Sequence, residues 1–185
     1  MIERSRSAMS GTRKSYMTVV HLIAFIFGVL QPAKAYAQPK RDDMDAAGST
    51  RSRAAQDIVA MTNRERIKRK LHPLKIDRYC VLAVTGHVNE MARGRYLSHQ
   101  GRDGRGASER YRRYKPAGRG AGENISYNTN GTGASFIRQW LRSPGHRDNI
   151  LSPLYRGVGV AVAANCAHSG IRGRCYYYAG QCFSP

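Results

Sequence analysis

Two short segments near the middle of the chain restrict its fold more than any other feature: Gly122-Glu123-Asn124-Ile125, and Trp140-Leu141-Arg142-Ser143-Pro144-Gly145-His146-Arg147-Asp148-Asn149-Ile150-Leu151. Each sets one ionisable side chain, Glu123 or His146, among turn-forming residues and apolar anchors. Gly122 allows a close backbone approach, and Ile125 anchors its segment in a core. Ser143 is placed to cap a helix whose first residue is Pro144. His146 then falls in the first turn, where free N–H groups and the positive dipole end disfavour an imidazolium. A neutral imidazole can accept a proton or ligate a metal. The plainer alternative is a histidine that packs beneath a loop, and a Glu satisfied by backbone N–H groups.

Around these segments the periodicity predicts helices and strands in mixed order. Ala55, Ile58, Val59, Met61 and Ile67 mark one buried face of a helix over 55–70, ended by His72-Pro73. A short extended piece holds Leu74 and Ile76. A second helix over 79–92 is capped by Asp77 and buries Val81, Leu82, Val84, Val88 and Met91. A Gly-punctuated basic stretch runs from Ser98 to Gly122, with a short helix from Ser108 to Tyr114 capped by Ser108. A further helix spans 132–141. Val158, Val160 and Val162 alternate with small residues as a strand does, and 175–183 is a Tyr-rich strand.

The amino terminus predicts export. Arg4, Arg6, Arg13 and Lys14 precede an apolar run from Thr18 to Leu30, and Ala35-Tyr36-Ala37 offers a cleavage site. Residues 1–37 read as a signal peptide, 38–53 as a flexible leader, and 54–185 as one folded domain. The expected localisation is secreted, periplasmic or cell envelope. The formal net charge is +19, and only five of the 31 basic residues fall within residues 1–37. The exported part is therefore itself basic. Outside the cytosol, anionic lipid or an envelope polymer replaces nucleic acid as the expected partner. The four cysteines fit disulfides in an oxidising compartment. Three pairings are open; Cys166 with Cys175 would staple a hairpin, and Cys80 with Cys182 would tie an early helix to the last strand.

His99, beside Ser98 and ahead of the Gly-rich loop, is a third candidate beside Glu123 and His146. A Glu near a His can orient it, share its proton or join it on a metal. Ser143 is already explained by capping. No nucleophile elbow, Cys-His pair, His-Glu-x-x-His or phosphate loop occurs. His87, within the second helix, stays outside the candidate site.

Together these segments resemble the CAP superfamily of cysteine-rich secretory, antigen 5 and pathogenesis-related proteins, in its small bacterial exported form. The resemblance runs from about Ile58 to Phe183. It includes Asn63-Arg64, Asp77, Met91, Ser98-His99, Asp103-Gly104, the two opening segments and Gly157-Val158-Gly159-Val160. It implies an α+β fold, a three-layer α-β-α sandwich around a mostly antiparallel sheet. It also implies a cleft formed by His99, Glu123, His146, Ser143 and Asn124. His99, His146 and Glu123 match three of the family's four metal-binding positions, and Ser143 stands where the fourth, a Glu, would be. A divalent metal such as zinc is the candidate cofactor. The expected function is a monomeric binding or interaction module for a lipid-like ligand, an envelope polymer or a protein partner. A zinc-dependent hydrolase using the same cleft is the alternative, and the lack of a nucleophile weighs against an enzyme. The basic stretch from Arg102 to Arg119 is either a solvated loop or a capture surface for anionic lipid or polymer.

Overall fold

The computed structural model of the protein describes residues 41–167 and 174–185. The expected signal peptide lies outside them. Among the described residues, no helix is long and apolar enough to cross a membrane.

The chain forms α1 (Arg41–Lys68), β1 (Lys75–Ile76), α2 (Arg78–Gly94), α3 (Ala107–Tyr114), β2 (Gly122–Asn128), α4 (Gly133–Arg142), α5 (Pro144–Leu151), β3 (Gly157–Asn165) and β4 (Tyr176–Ser184). The strands lie in the order β1-β3-β4-β2. β4 pairs antiparallel with both β3 and β2, while β1 runs parallel to β3. Helices α2 and α3 cover one face; α1, α4 and α5 cover the other. This is the expected three-layer sandwich with a mostly antiparallel sheet.

Alternation along the strands builds two cores. On β3, Ala161 and Ala163 face α2, while Val158, Val160 and Val162 face the α1–α4–α5 layer. Gly159 lies so close to α2 that a Cβ there would run into the backbone of Cys80 and Val81. On β4, Tyr178 and Cys182 face α2, and Ala179 and Phe183 meet Ile58, Phe136, Trp140 and Ile150 on the other side. Cys80 is bonded to Cys182, joining α2 to β4, and Cys166 to Cys175.

Four local expectations need correction. Helix α1 begins at Arg41, so it runs through the segment read as a flexible leader. From Arg41 to Arg53 that segment has no proline and a single glycine, Gly48, so nothing in its propensities stops a helix there. The buried stripe of α1 is Ala54, Ile58, Thr62 and Arg66, at four-residue spacing, and leaves Ile67 exposed. Arg66 replaces it because a guanidinium can satisfy carbonyls that Ile cannot: Nη1 donates to Ile150 and Ser152 O, Nη2 to Tyr155 O, and Nε to His72 O. Leu82 is exposed, while Cys80, Ala83 and His87 take the inner face of α2. Ser108 does not cap α3. Gly106 stands at that cap, Glu109 accepts from its N–H, and the Ser108 hydroxyl clasps Ala121 through both its N–H and its carbonyl.

Asp77 caps α2 as expected, accepting from the Tyr79 and Cys80 N–H groups. Its other oxygen accepts from the Tyr111 and Ser184 hydroxyls. One carboxylate thus ties α2 to α3 and to the end of β4.

Candidate functional site

β2 is an edge strand, and its alternation sends Glu123 and Asn124 to opposite faces. Glu123 turns towards α3 and the loop after α2. Asn124 turns towards α5. The two helical layers approach each other over this edge, and there His99 and His146 meet, with ring centroids 6.4 Å apart.

Glu123 is buried, with its side chain 3% exposed. His99 Nδ1 donates to Oε1 at 2.9 Å, and Arg110 Nη2 donates to Oε2 at 2.6 Å. Burial alone would raise the Glu123 carboxyl; the His99 hydrogen bond and the Arg110 guanidinium overcome it and hold the group below its ordinary value. An ionised Glu123 fixes the His99 tautomer and leaves Nε2 as the ring nitrogen open to a ligand. Arg110 also donates to His99 O and Arg105 O. It therefore holds both the carboxylate and the backbone of the histidine that the carboxylate orients.

His146 lies in the first turn of α5, as expected. Its imidazole is held below the ordinary histidine value, first by burial and then by the charge of His99. Ser143 occupies the N-terminal cap of α5 through its carbonyl, which accepts from Arg147 N. Its side chain makes no capping bond, so the expected hydroxyl cap is not formed. The rigid Pro144 start and the backbone bond suffice to begin the helix.

Asn124 is fully buried and forms the floor of the site. Its Nδ2 donates to His146 O and Gln181 Oε1, and its Oδ1 accepts from Asn149, which also donates to Glu123 O. Gln181 in turn donates to Thr62 on α1. His99, Glu123 and His146 are thus gathered at one edge. Asn124 supports them from beneath, and Ser143 makes no hydrogen bond to any of the three.

Sequence reasoning missed Arg110, Asn149 and Gln181. Asn149 stands three residues after His146 on the same helical face, a spacing that could have linked them. Gln181 is a lone amide between Gly180 and Cys182 in a strand otherwise rich in small and aromatic residues. Arg110 carried no such signal, since it sits among other basic residues of the same stretch.

The donor set does not fit a zinc ion in this arrangement. Both Glu123 oxygens are engaged, and no group of three or more His, Cys, Asp or Glu side chains among the described residues could hold a metal.

Comparison with known proteins agrees with this architecture. YkwD of Bacillus subtilis (strain 168), an uncharacterised protein, is 30% identical over 121 residues, covering 65% of this chain and 47% of that protein. The uncharacterised membrane protein YlbC of the same organism is 32% identical over 107 residues, or 58% of this chain and 31% of its own length. The chain thus spans less than half of either relative. Among solved structures, an extracellular SCP-domain protein from Bacillus anthracis str. Ames matches with a TM-score of 0.62 and 25% identity, covering 80% of this chain and 45% of its own. An outer surface protein from Borrelia burgdorferi shares the fold, with a TM-score of 0.57 at 14% identity over 80% of this chain and 97% of its own. The profile of the cysteine-rich secretory protein family, CAP, matches residues 59–182. The chain belongs to that family.

Proposed function

We propose that this CAP domain is an exported binding module that takes a polar envelope polymer in the cleft between His99 and His146. The observation that carries this reading is the double engagement of Glu123 by His99 Nδ1 and Arg110 Nη2. The carboxylate is spent on orientation, so the cleft offers ring nitrogens for hydrogen bonding rather than a nucleophile. The exposed His99 and the half-buried His146 imidazoles suit hydroxyl- and amide-bearing polymers better than a lipid tail. The charge of +19 favours an anionic one. Export is supported by the amino-terminal pattern of the sequence and by the extracellular description of the Bacillus anthracis relative.

Cosedimentation with anionic wall polymer tests this. Binding should weaken steeply as salt rises, and the His99→Ala, His146→Ala double variant should lose most of it. Unchanged binding in that variant would sink the proposal. Metal content after chelator-free purification addresses the hydrolase alternative: stoichiometric zinc, lost on His146→Ala, would show that Glu123 can leave Arg110 and ligate.

A further inference from the structure

Helices α2 and α3 form one outer layer, and its charges are unevenly committed. From Arg78 to Arg119 the chain carries ten basic residues against three acidic ones, with Asp77 just ahead of them. Each of the four carboxylates is spent within the fold. Asp77 caps α2 and accepts from Tyr111 and Ser184. Glu90 accepts from the Arg102 N–H, Asp103 pairs with Arg105, and Glu109 accepts from the Gly106 N–H. The cations are not matched in this way. Arg112, Arg113, Lys115 and Arg119 are exposed, and none of them forms an ion pair among the described residues.

Two large apolar side chains stand exposed in the same surface, Leu82 on α2 (49%) and Tyr114 at the end of α3 (40%). Their neighbours place them together. Tyr114 lines one hollow with Ala83, Gly86 and Arg113. Leu82 lies one helical turn from both Tyr79 and Gly86, on the same side of α2. Tyr79 in turn sits between two cations: Arg78 is 4.6 Å and Lys115 6.0 Å from its ring centroid. An apolar pair is thus flanked by Arg78, Arg113 and Lys115.

We infer that the α2–α3 face docks on an anionic lipid bilayer, with Leu82 and Tyr114 entering its interface and the surrounding cations lying over lipid phosphates. A soluble polyanion would answer the cations but leave Leu82 and Tyr114 in water. An apolar protein surface would cover those two but desolvate unpaired charge. A bilayer surface offers phosphate and a shallow apolar layer at once, which suits long basic side chains and amphipathic tyrosine. Two apolar side chains make a small insertion, so the contact is reversible and draws most of its strength from charge. It uses neither His99 nor His146 and is separate from the cleft.

Cosedimentation of the folded, disulfide-bonded chain with phosphatidylcholine vesicles, with and without phosphatidylglycerol, tests the surface. Glycerol phosphate and soluble polyglutamate supply the headgroup and a polyanion without a bilayer. Binding should require phosphatidylglycerol, weaken as salt rises and resist competition by glycerol phosphate. Arg112→Gln with Arg113→Gln should weaken it about twentyfold, at about fivefold per charge. Removing the same charge from the opposite layer, by Arg138→Gln with Arg142→Gln on α4, should leave it nearly unchanged. Leu82→Gln with Tyr114→Gln alters no charge; it should weaken vesicle binding about tenfold and leave polyglutamate binding as it was. All these side chains are exposed, and unchanged thermal midpoints would show that the variants fold. The proposal is overturned by vesicle binding that is absent at low salt or indifferent to phosphatidylglycerol. Equal loss from the two arginine pairs would overturn it too, since net charge alone would then act. So would a Leu82, Tyr114 variant that binds vesicles as tightly as the parent, which would make the face a site for soluble polyanions. The His99→Ala, His146→Ala variant should bind vesicles normally, so this surface and the cleft reading can fail separately.

Discussion

At the scale of single residues, the site depends on a buried carboxylate whose two oxygens have different tasks. One orients His99 and the other neutralises Arg110. Removing either partner strands a charge in the interior, which is costlier than the pair itself is stabilising. Glu123→Gln should therefore cost about 3 kcal/mol and lower the thermal midpoint by roughly 10 °C. Asp77 behaves similarly: burial would raise its carboxyl, but bonds from Ser184, Tyr111 and two helix N–H groups hold it down. A group whose folded value is depressed stabilises fully above its ordinary value and loses that contribution as pH falls through the folded one. Stability should thus be flat above the ordinary carboxyl values, 4.5 for Glu and 3.8 for Asp, and fall progressively below them. Thermal melts from pH 7 to pH 2 would show this, with a shallower fall in Glu123→Gln. His146 gives a second readout. Its imidazole should titrate below 6.5, and His99→Ala should move that titration upward by removing a neighbouring positive charge. An unchanged midpoint in that variant would mean that burial alone sets it. His99, Glu123 and His146 were legible because each sits in a distinctive local frame of glycine, serine or proline. Arg110 was not, because burial of one arginine among seven basic side chains between 102 and 119 is decided by which face of α3 meets the sheet.

At the scale of elements, the contrast between Gly86 and Gly159 shows how closely α2 is laid on β3. Gly86 lies on the exposed side of α2, whereas Gly159 lies on β3 directly beneath that helix. Gly86→Ala should stabilise by about 1 kcal/mol, since the new methyl meets nothing and the helix gains propensity. Gly159→Ala should destabilise by more than about 2 kcal/mol, because the obstacle is backbone of Cys80 and Val81 that cannot rotate away. Urea unfolding of the two variants measures both signs, and equal effects would contradict this packing. The alternation of valine with glycine and alanine along 158–163 already announced a strand with one crowded face. It did not say which helix crowds it. The misreadings on the helices share one cause. Apolar spacing alone put Ile67 and Leu82 inward, whereas Arg66 and His87 hold those inner positions because backbone carbonyls of distant segments need donors. Such partners are remote in sequence and leave no local pattern.

At the scale of the whole molecule, the Cys80–Cys182 bond closes a loop of 102 residues and links the second helix to the last strand. Chain-entropy reasoning assigns a loop of that length about 4–5 kcal/mol, and the nine-residue loop of Cys166–Cys175 less than about 3. The Cys80→Ala, Cys182→Ala variant should therefore lose more stability in denaturant than the Cys166→Ala, Cys175→Ala variant. The reverse order would show that the short bridge holds native structure in place rather than restraining the unfolded chain. β4, the strand that carries Cys182, has a further consequence through its place in the sheet. It is the last of the described elements in chain order, yet it lies between β2 and β3 and supplies Gln181 as a partner to Asn124, beneath His146 and Glu123. In order of synthesis every helix, and both strands that will flank β4, precede the strand that joins them. Until Tyr176–Ser184 follow, β2 and β3 have no common neighbour, and Asn124 lacks its Gln181 partner. The sheet is therefore incomplete until β4 is made, and a chain interrupted upstream of Tyr176 would present unpaired strand edges.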